Sequence, residues 1–327
     1  MKFEFTVSRD FNFVTAFAEK FKVRVFGNRL SIPASMGYGF IKQIDVEPGF
    51  RLVLHHYTLK QSFHLKRMSS AEPNDLISIV FNSNEVPTDS TGDQVNALQF
   101  LKNNGSAIQI SSSTLGTETR FSPDTEVYFA VIGIKAPLLA SILNIKKGNS
   151  LIKKILNGAS SFFFHENMSV DAKRALQQLS RMNELEELSN LYYKIKIQEL
   201  LYLLFSKLLT RESSPLSTIN KSDIDRLYAI RTAIIADVSM PPKLKALSKM
   251  TGMSETKMKQ LFKQIFGDTI YNYYQKARME EAAFLIRQAG YAVSEAGYQL
   301  GFSNLSHFSR LFEKHHGVTP KKYSLAG

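Results

Sequence analysis

Gly252-Met253-Ser254, followed by Leu261-Phe262, Gly267, Thr269 and Tyr273, returns later in the chain as Gly301-Phe302-Ser303, Leu311-Phe312, Gly317, Thr319 and Tyr323. The offset is 49 for the first block and 50 for the rest, so one extra residue separates otherwise matching copies. Each copy reads as the same unit. A short helix, Leu244–Thr251 or Val293–Leu300, runs into a glycine, which adopts a left-handed turn at little steric cost. Ser254 or Ser303 then caps the next helix by accepting from its free N–H groups. That helix carries an inward stripe, Met258, Leu261, Phe262 and Ile265 in one copy and Phe308, Leu311 and Phe312 in the other, and it stops at Gly267 or Gly317.

Helix, tight glycine turn and capped helix form the helix-turn-helix pattern, whose second helix enters a DNA major groove. Between the copies Thr269 to about Ile286 reads as one helix capped by Thr269. At 1.5 Å per residue it is a rod of about 26 Å, able to hold two reading helices about one DNA turn, roughly 34 Å, apart. The charge agrees with a polyanion partner. The chain is formally +12, and Ser222 to Gly327 holds 15 Lys and Arg against 9 Asp and Glu, so half the excess sits in the last third.

The run Gly252-Met253-Ser254, Leu261-Phe262-Lys263, Gly267, Tyr273 and Arg278-Met279-Glu280-Glu281-Ala282 resembles the AraC/XylS family of bacterial regulators. So does Gly301-Phe302-Ser303-Asn304-Leu305-Ser306-His307-Phe308-Ser309-Arg310-Leu311-Phe312 with Gly317-Val318-Thr319-Pro320 and Tyr323. The resemblance covers about residues 222 to 327. It implies base contacts from Thr256, Lys259 and Gln260 in the first unit and from Ser306, His307 and Arg310 in the second. Arg or Lys can donate to guanine and Gln can pair with adenine. Lys257, Lys263 and the helix starts at Ser254 and Asn304 are candidates for phosphate contact. Arg278 is a further phosphate candidate, with a structural ion pair as the alternative. Phe262, Phe308, Phe312, Tyr273 and Tyr323 read as core. Ser248 and Gly297 stand where the family usually has Ala, and Gly297 costs about 1 kcal/mol of helix propensity, which would loosen the second unit.

Outward from this domain the pattern changes. A chain of 327 residues is long for one core, and the fold class expected is α+β. Residues 1–165 read as a β-rich barrel or sandwich, with strands at Lys22–Phe26, Phe50–Leu59, Leu76–Phe81, Ala107–Ile110 and Glu126–Ile134. Turn clusters at Pro48-Gly49 and Asn103-Asn104-Gly105-Ser106 separate them, and a short helix is expected at about Asp10–Lys20. Residues 166–210 read as a helical pair, Ser169–Met182 and Glu184–Leu209. The second helix has Leu188, Leu191, Ile195, Tyr202 and Phe205 on one side and Ile197, Leu200, Leu201, Leu204 and Leu208 on another. Two apolar faces need two partners: the β domain for one, and for the other either more of the same chain or a second copy. Residues 211–221, which include Ser213-Ser214-Pro215, read as a linker, and Ser222 with Asp225 as a capped helix start.

Cysteine is absent, which removes disulfides, thiolate metal sites and cysteine methyl-acceptor chemistry. No stretch has signal-peptide or membrane-span character, so the expectation is a cytoplasmic protein. His55, His56 and His64, with His165-Glu166, are the residues an iron site would need, since two His and a carboxylate form an oxygenase triad. Strand surface is the blander account, and no metal or cofactor is expected. The reading is a non-enzymatic, sequence-specific transcriptional regulator. The family resemblance adds a cupin-like barrel binding a small effector, with a siderophore-type iron chelate as one candidate. A homodimer and RNA polymerase complete the expected partners. The rival is a metal-dependent β-barrel enzyme carrying a DNA-binding tail.

Overall fold

Phe50–Leu59 is buried at nearly every position, on alternate sides of the strand. A strand hydrophobic on both faces must lie in a sheet covered on both faces. The computed structural model shows that arrangement. It describes residues 1–8, 11–70, 74–83, 106–158, 160–180, 187–212 and 216–325. The chain divides into two compact units, Met1–Ile224 and Asp225–Gly327.

The first unit holds β1 (Lys2–Thr6), α1 (Phe13–Phe21), β2 (Val25–Phe26), β3 (Arg29–Ser31), β4 (Gly37–Glu47), β5 (Phe50–Leu59), β6 (Phe63–Met68), β7 (Leu76–Ser83), β8 (Ser106–Ser112), β9 (Thr117–Phe121) and β10 (Glu126–Lys135). It continues with α2 (Ala136–Leu143), α3 (Ser150–Asn157), β11 (Phe163–Asn167), α4 (Val170–Ser180) and α5 (Ser189–Leu209). An eight-stranded sheet runs β11-β8-β7-β10-β5-β4-β3-β2, and a three-stranded sheet runs β1-β6-β9. Leu52, Leu54, Ile79 and Ile132 face the helical layer, where they meet Leu139, Ile152, Leu176, Leu200 and Leu204. Val53, Tyr57 and Phe129 face the other way, toward Phe3, Phe63 and Phe121 of the small sheet and Phe13 and Phe17 of α1. The period-2 alternation of a strand produces both interfaces from one segment.

Several expected boundaries move. Lys22 takes left-handed backbone (φ 55°) and closes α1, so only Val25–Phe26 of the expected Lys22–Phe26 strand pairs. The expected turn residues Asn103 to Gly105, Asp10 at the start of the first helix, the stretch around Met182 and Glu184, and Ser213 to Pro215 of the linker lie outside the described residues. Helices α2 and α3 interrupt the region read mostly as strand. Asn149 marks α3 by accepting from the Ile152 N–H at 2.9 Å, the cap signal that sequence reading passed over. On α5, Phe205 is buried among Ile197, Leu200, Leu201, Leu204 and Leu208, a correction to its placement on the opposite side. Leu188, Leu191, Ile195 and Tyr202 are 69, 53, 52 and 68% exposed.

Next comes α6 (Lys221–Ala236). Its cap is Asn220, whose side chain accepts from Asp223 N–H at 2.8 Å, rather than Ser222. The second unit then runs α7 (Leu244–Thr251), α8 (Glu255–Phe266), α9 (Ile270–Arg287), α10 (Val293–Gln299), α11 (Leu305–His316) and α12 (Pro320–Leu325). The first half of α9 packs through Tyr273 on Phe262 and Phe266 (ring centroids 5.5 and 5.6 Å). Its second half supplies Met279, Ala282, Ala283 and Ile286 to a core with Ala296, Leu300, Phe302, Phe308 and Phe312.

Candidate nucleic-acid interface

The two repeat copies form the same local geometry. Gly252 and Gly301 hold φ of 64° and 76° after the first helix, and Gly267 and Gly317 hold 75° and 73° after the second. Ser254 accepts from Lys257 N–H at 3.3 Å and so caps α8. In the second copy the cap is Asn304, which accepts from His307 N–H at 3.0 Å, and this corrects the expectation for Ser303. Met258, Leu261, Phe262, Ile265, Phe308 and Phe312 are all buried, while Leu311 is half-buried.

With those stripes turned inward, Thr256, Lys259 and Gln260 are exposed on α8, and Ser306, His307 and Arg310 are exposed on α11. Lys257 is also exposed, Lys263 is half-buried, and Ser254 and Asn304 sit exposed at the two helix starts. Lys259 pairs with Glu255 one turn earlier at 3.3 Å, a surface contact that a stronger anion can displace.

Arg278 departs from expectation. It is 8% exposed, and its Nε and Nη2 donate to the Leu300 carbonyl at 2.9 and 2.5 Å. Its guanidinium lies 3.6 Å from the Phe302 ring centroid. Among the described residues no carboxylate pairs with it. The residue satisfies a carbonyl at the end of α10, where helices leave acceptors unpaired. Gly301 comes next in the chain, and a Cβ there would come within 2.4 Å of the Ser239 carbonyl oxygen, so glycine is needed for space as well as for its φ. Arg231, which sequence reading passed over, is 1% exposed and donates to the Tyr273 hydroxyl at 2.6 Å.

The departures from the family pattern acquire reasons. Ser248 donates to the Met253 carbonyl at 2.5 Å and closes the first turn from within. Gly297 is buried, and a Cβ there would lie 2.7 Å from Leu305 Cδ2 and 3.2 Å from Phe308 Cδ1. Close helix contact, more than looseness, accounts for the glycine.

In the first unit a cavity of about 160 Å³ opens between the two sheets. Phe13, Val53, Phe121 and Phe129 form apolar wall, and Gln43, Arg51, His55, Arg67 and Gln109 bring polar groups to it. Sequence reading missed Arg67, although Phe63, Leu65 and Arg67 share one face of β6 and an arginine on an apolar face is a visible signal. His55 faces this cavity, and burial pushes its pKa down to about 3, so it is neutral. His56 pairs with Glu126 at 2.8 Å on the other face of β5, and His64 pairs with Glu118 at 2.5 Å on the small sheet. Glu166 is bound by Lys207 and Arg211 at 2.8 and 2.5 Å. Among the described residues no three His, Asp or Glu converge as metal ligands. Nor, among them, is any helix long and apolar enough to cross a membrane.

The fold of the second unit defines a class: two helix-turn-helix units on one connecting helix. Residues 247–325 match the family model described as a helix-turn-helix domain. "Regulatory protein PchR" of Pseudomonas aeruginosa is 31% identical over 121 residues, 35% of this chain and 40% of that protein. "HTH-type transcriptional activator RhaR" of Klebsiella pneumoniae is 28% identical over 109 residues, 33% of this chain and 38% of that protein. The matches therefore span about two fifths of those relatives. A solved regulator from Chromobacterium violaceum, described as containing an AraC-type DNA-binding domain, is 25% identical, with a TM-score of 0.30 over 32% of this chain and 95% of its own.

Proposed function

We propose that the chain is a sequence-specific transcriptional regulator, binding double-stranded DNA through Asp225–Gly327 and a small effector through Met1–Ile224. The observation that carries it is the pair of capped helices, α8 and α11, each with its apolar side buried and a polar face exposed. Thr256, Lys259 and Gln260 read bases from α8, and Ser306, His307 and Arg310 from α11. Lys257, Lys263, Ser254 and Asn304 hold phosphates. The word "activator" in the name of one relative supports activation, with RNA polymerase as the partner. Action on DNA puts the protein in the cytoplasm.

The exposed Leu188 at the start of α5, with Leu191, Ile195 and Tyr202 on it, keeps to helical spacing and supports a homodimer through this face. The enzyme reading has no comparable support, because His55, His56 and His64 have three different surroundings. The 160 Å³ cavity supports an effector site.

The test is selection of binding sites from genomic fragments by the full chain, repeated across salt concentrations. Binding should weaken steeply with salt, as it does when Lys and Arg displace counterions. Arg310→Ala should cost about 1–3 kcal/mol on the selected site and relax preference at one or two base pairs, while Lys263→Ala weakens all sequences alike. A folded chain that binds DNA with no salt dependence and no selected sequence overturns the proposal.

A further inference from the structure

We infer that the cavity of the first unit takes a small organic monoanion, a carboxylate on a flat apolar body, with Arg67 as its counter-ion. This rests on the reading of that unit as the effector-binding part. Arg67 is 7% exposed and lines the cavity from β6. Its Nη2 donates to Ser111 Oγ, Leu115 O and Ser112 O at 2.8, 2.9 and 3.3 Å. Its Nε is buried without a partner, and among the described residues no carboxylate reaches the side chain. Among the described residues no Asp or Glu lines the cavity, whereas Arg51 and His55 do.

A buried cation without a counter-ion is costly, and an anionic ligand relieves the cost on binding. Three acceptors on Nη2 fix the guanidinium beforehand, so little ordering remains to oppose association. Burial lowers the Arg67 pKa only to about 10, which leaves the side chain charged at neutral pH. Two further groups define the ligand. His55 Nδ1 and Gln43 Oε1 are buried without partners, so a hydroxyl or similar group beside the carboxylate has a place to bond. His55 stacks on Phe129 at 4.0 Å between ring centroids, which makes a flat wall for a ring. Size completes the class. A volume of about 160 Å³ holds on the order of ten water-sized sites, which suits a single ring with its carboxylate. A ferric chelate is several times larger.

The experiment titrates the full-length protein with benzoate, phenylacetate and cinnamate, and with benzamide as the uncharged match for benzoate. Affinity is read by calorimetry and DNA binding by anisotropy. At least one carboxylate should bind saturably, with benzamide or the matching amide weaker by about tenfold or more. Arg67→Met should abolish that preference. Because Arg67→Met removes three hydrogen bonds, His55→Phe is the second variant, expected to fold and to weaken only hydroxylated ligands such as salicylate. Equal affinity for acid and amide, or no saturable binding of any carboxylate, overturns the anion inference and leaves the regulator reading intact. If a carboxylate binds through Arg67 and DNA affinity does not change, the ligand class stands and effector control fails.

Discussion

The two helix-turn-helix units share their glycines and their buried stripes, yet each closes its turn by different means. In the first, the lock is internal: Ser248 donates to the Met253 carbonyl five residues on. In the second, the corresponding position is Gly297, which has no hydroxyl to offer, and the lock is Arg278, reaching in from the connecting helix to the Leu300 carbonyl. A turn has to satisfy its carbonyls, but nothing requires the donor to be local. The first unit therefore depends on its own residues, and the second depends on α9 for its closure as well as for its position.

The largest effect should come from breaking the phase between the units. Each inserted helical residue rotates the remainder of the helix by about 100°, so two alanines after Lys276 turn the second reading helix by about 200°. The insertion falls between Tyr273, which packs on the first unit, and Arg278, which packs on the second, so each half keeps its own contacts. Affinity for the selected site should fall about 10³-fold or more, toward non-specific binding. A footprint of unchanged length and affinity would show that one unit reads alone.

Next in size is Arg278→Ala, which leaves a carbonyl acceptor and the Phe302 face without their cation. The expected loss is about 2–4 kcal/mol, the range for removing a charged, buried donor. Hydrogen exchange should rise across 293–325 and stay unchanged across 244–266. Uniform acceleration of both units would deny the division of labour between an internal lock and one supplied by α9.

Ser248→Ala should act on the first unit alone and more weakly. One hydrogen bond of about 1 kcal/mol is lost, and part is returned by alanine's helix propensity. Urea unfolding monitored at residues of α7 and α8 measures the remainder, and a destabilised second unit would contradict it. The smallest change is Gly297→Ala. Propensity gains about 1 kcal/mol, but the new methyl meets the Leu305 tip and the fully buried Phe308 ring, so the net should be a loss below about 1 kcal/mol. A net gain of that size in thermal melts would mean the packing there is slack.

The repeat made the C-terminal unit legible because glycine at a left-handed turn and a polar cap are signals confined to a few residues. Gly252, Ser254, Gly267 and Thr269 serve as read. The hydrogen bond of Arg278 depends on a carbonyl 22 residues away, which no local pattern announces. The same limit hid the cavity. Arg67 and Ser111 are 44 residues apart in sequence and meet only after two sheets have closed over them. Helices α2 and α3 escaped because short apolar runs such as Leu151-Ile152 fit a strand as well as a helix. The two-sided burial of β5 was visible in its composition, but the identity of the covering layers was not.

The two units repeat head to tail, and their exposed faces differ: Thr256, Lys259 and Gln260 on one, Ser306, His307 and Arg310 on the other. A body built this way has a front and a back along any duplex it occupies. On the proposed reading, the site of one such domain is then an arrow and not a palindrome. Reversing such a site in place would then leave occupancy untouched while turning the bound domain around. In a promoter, the direction in which the letters are written would carry as much meaning as the letters themselves.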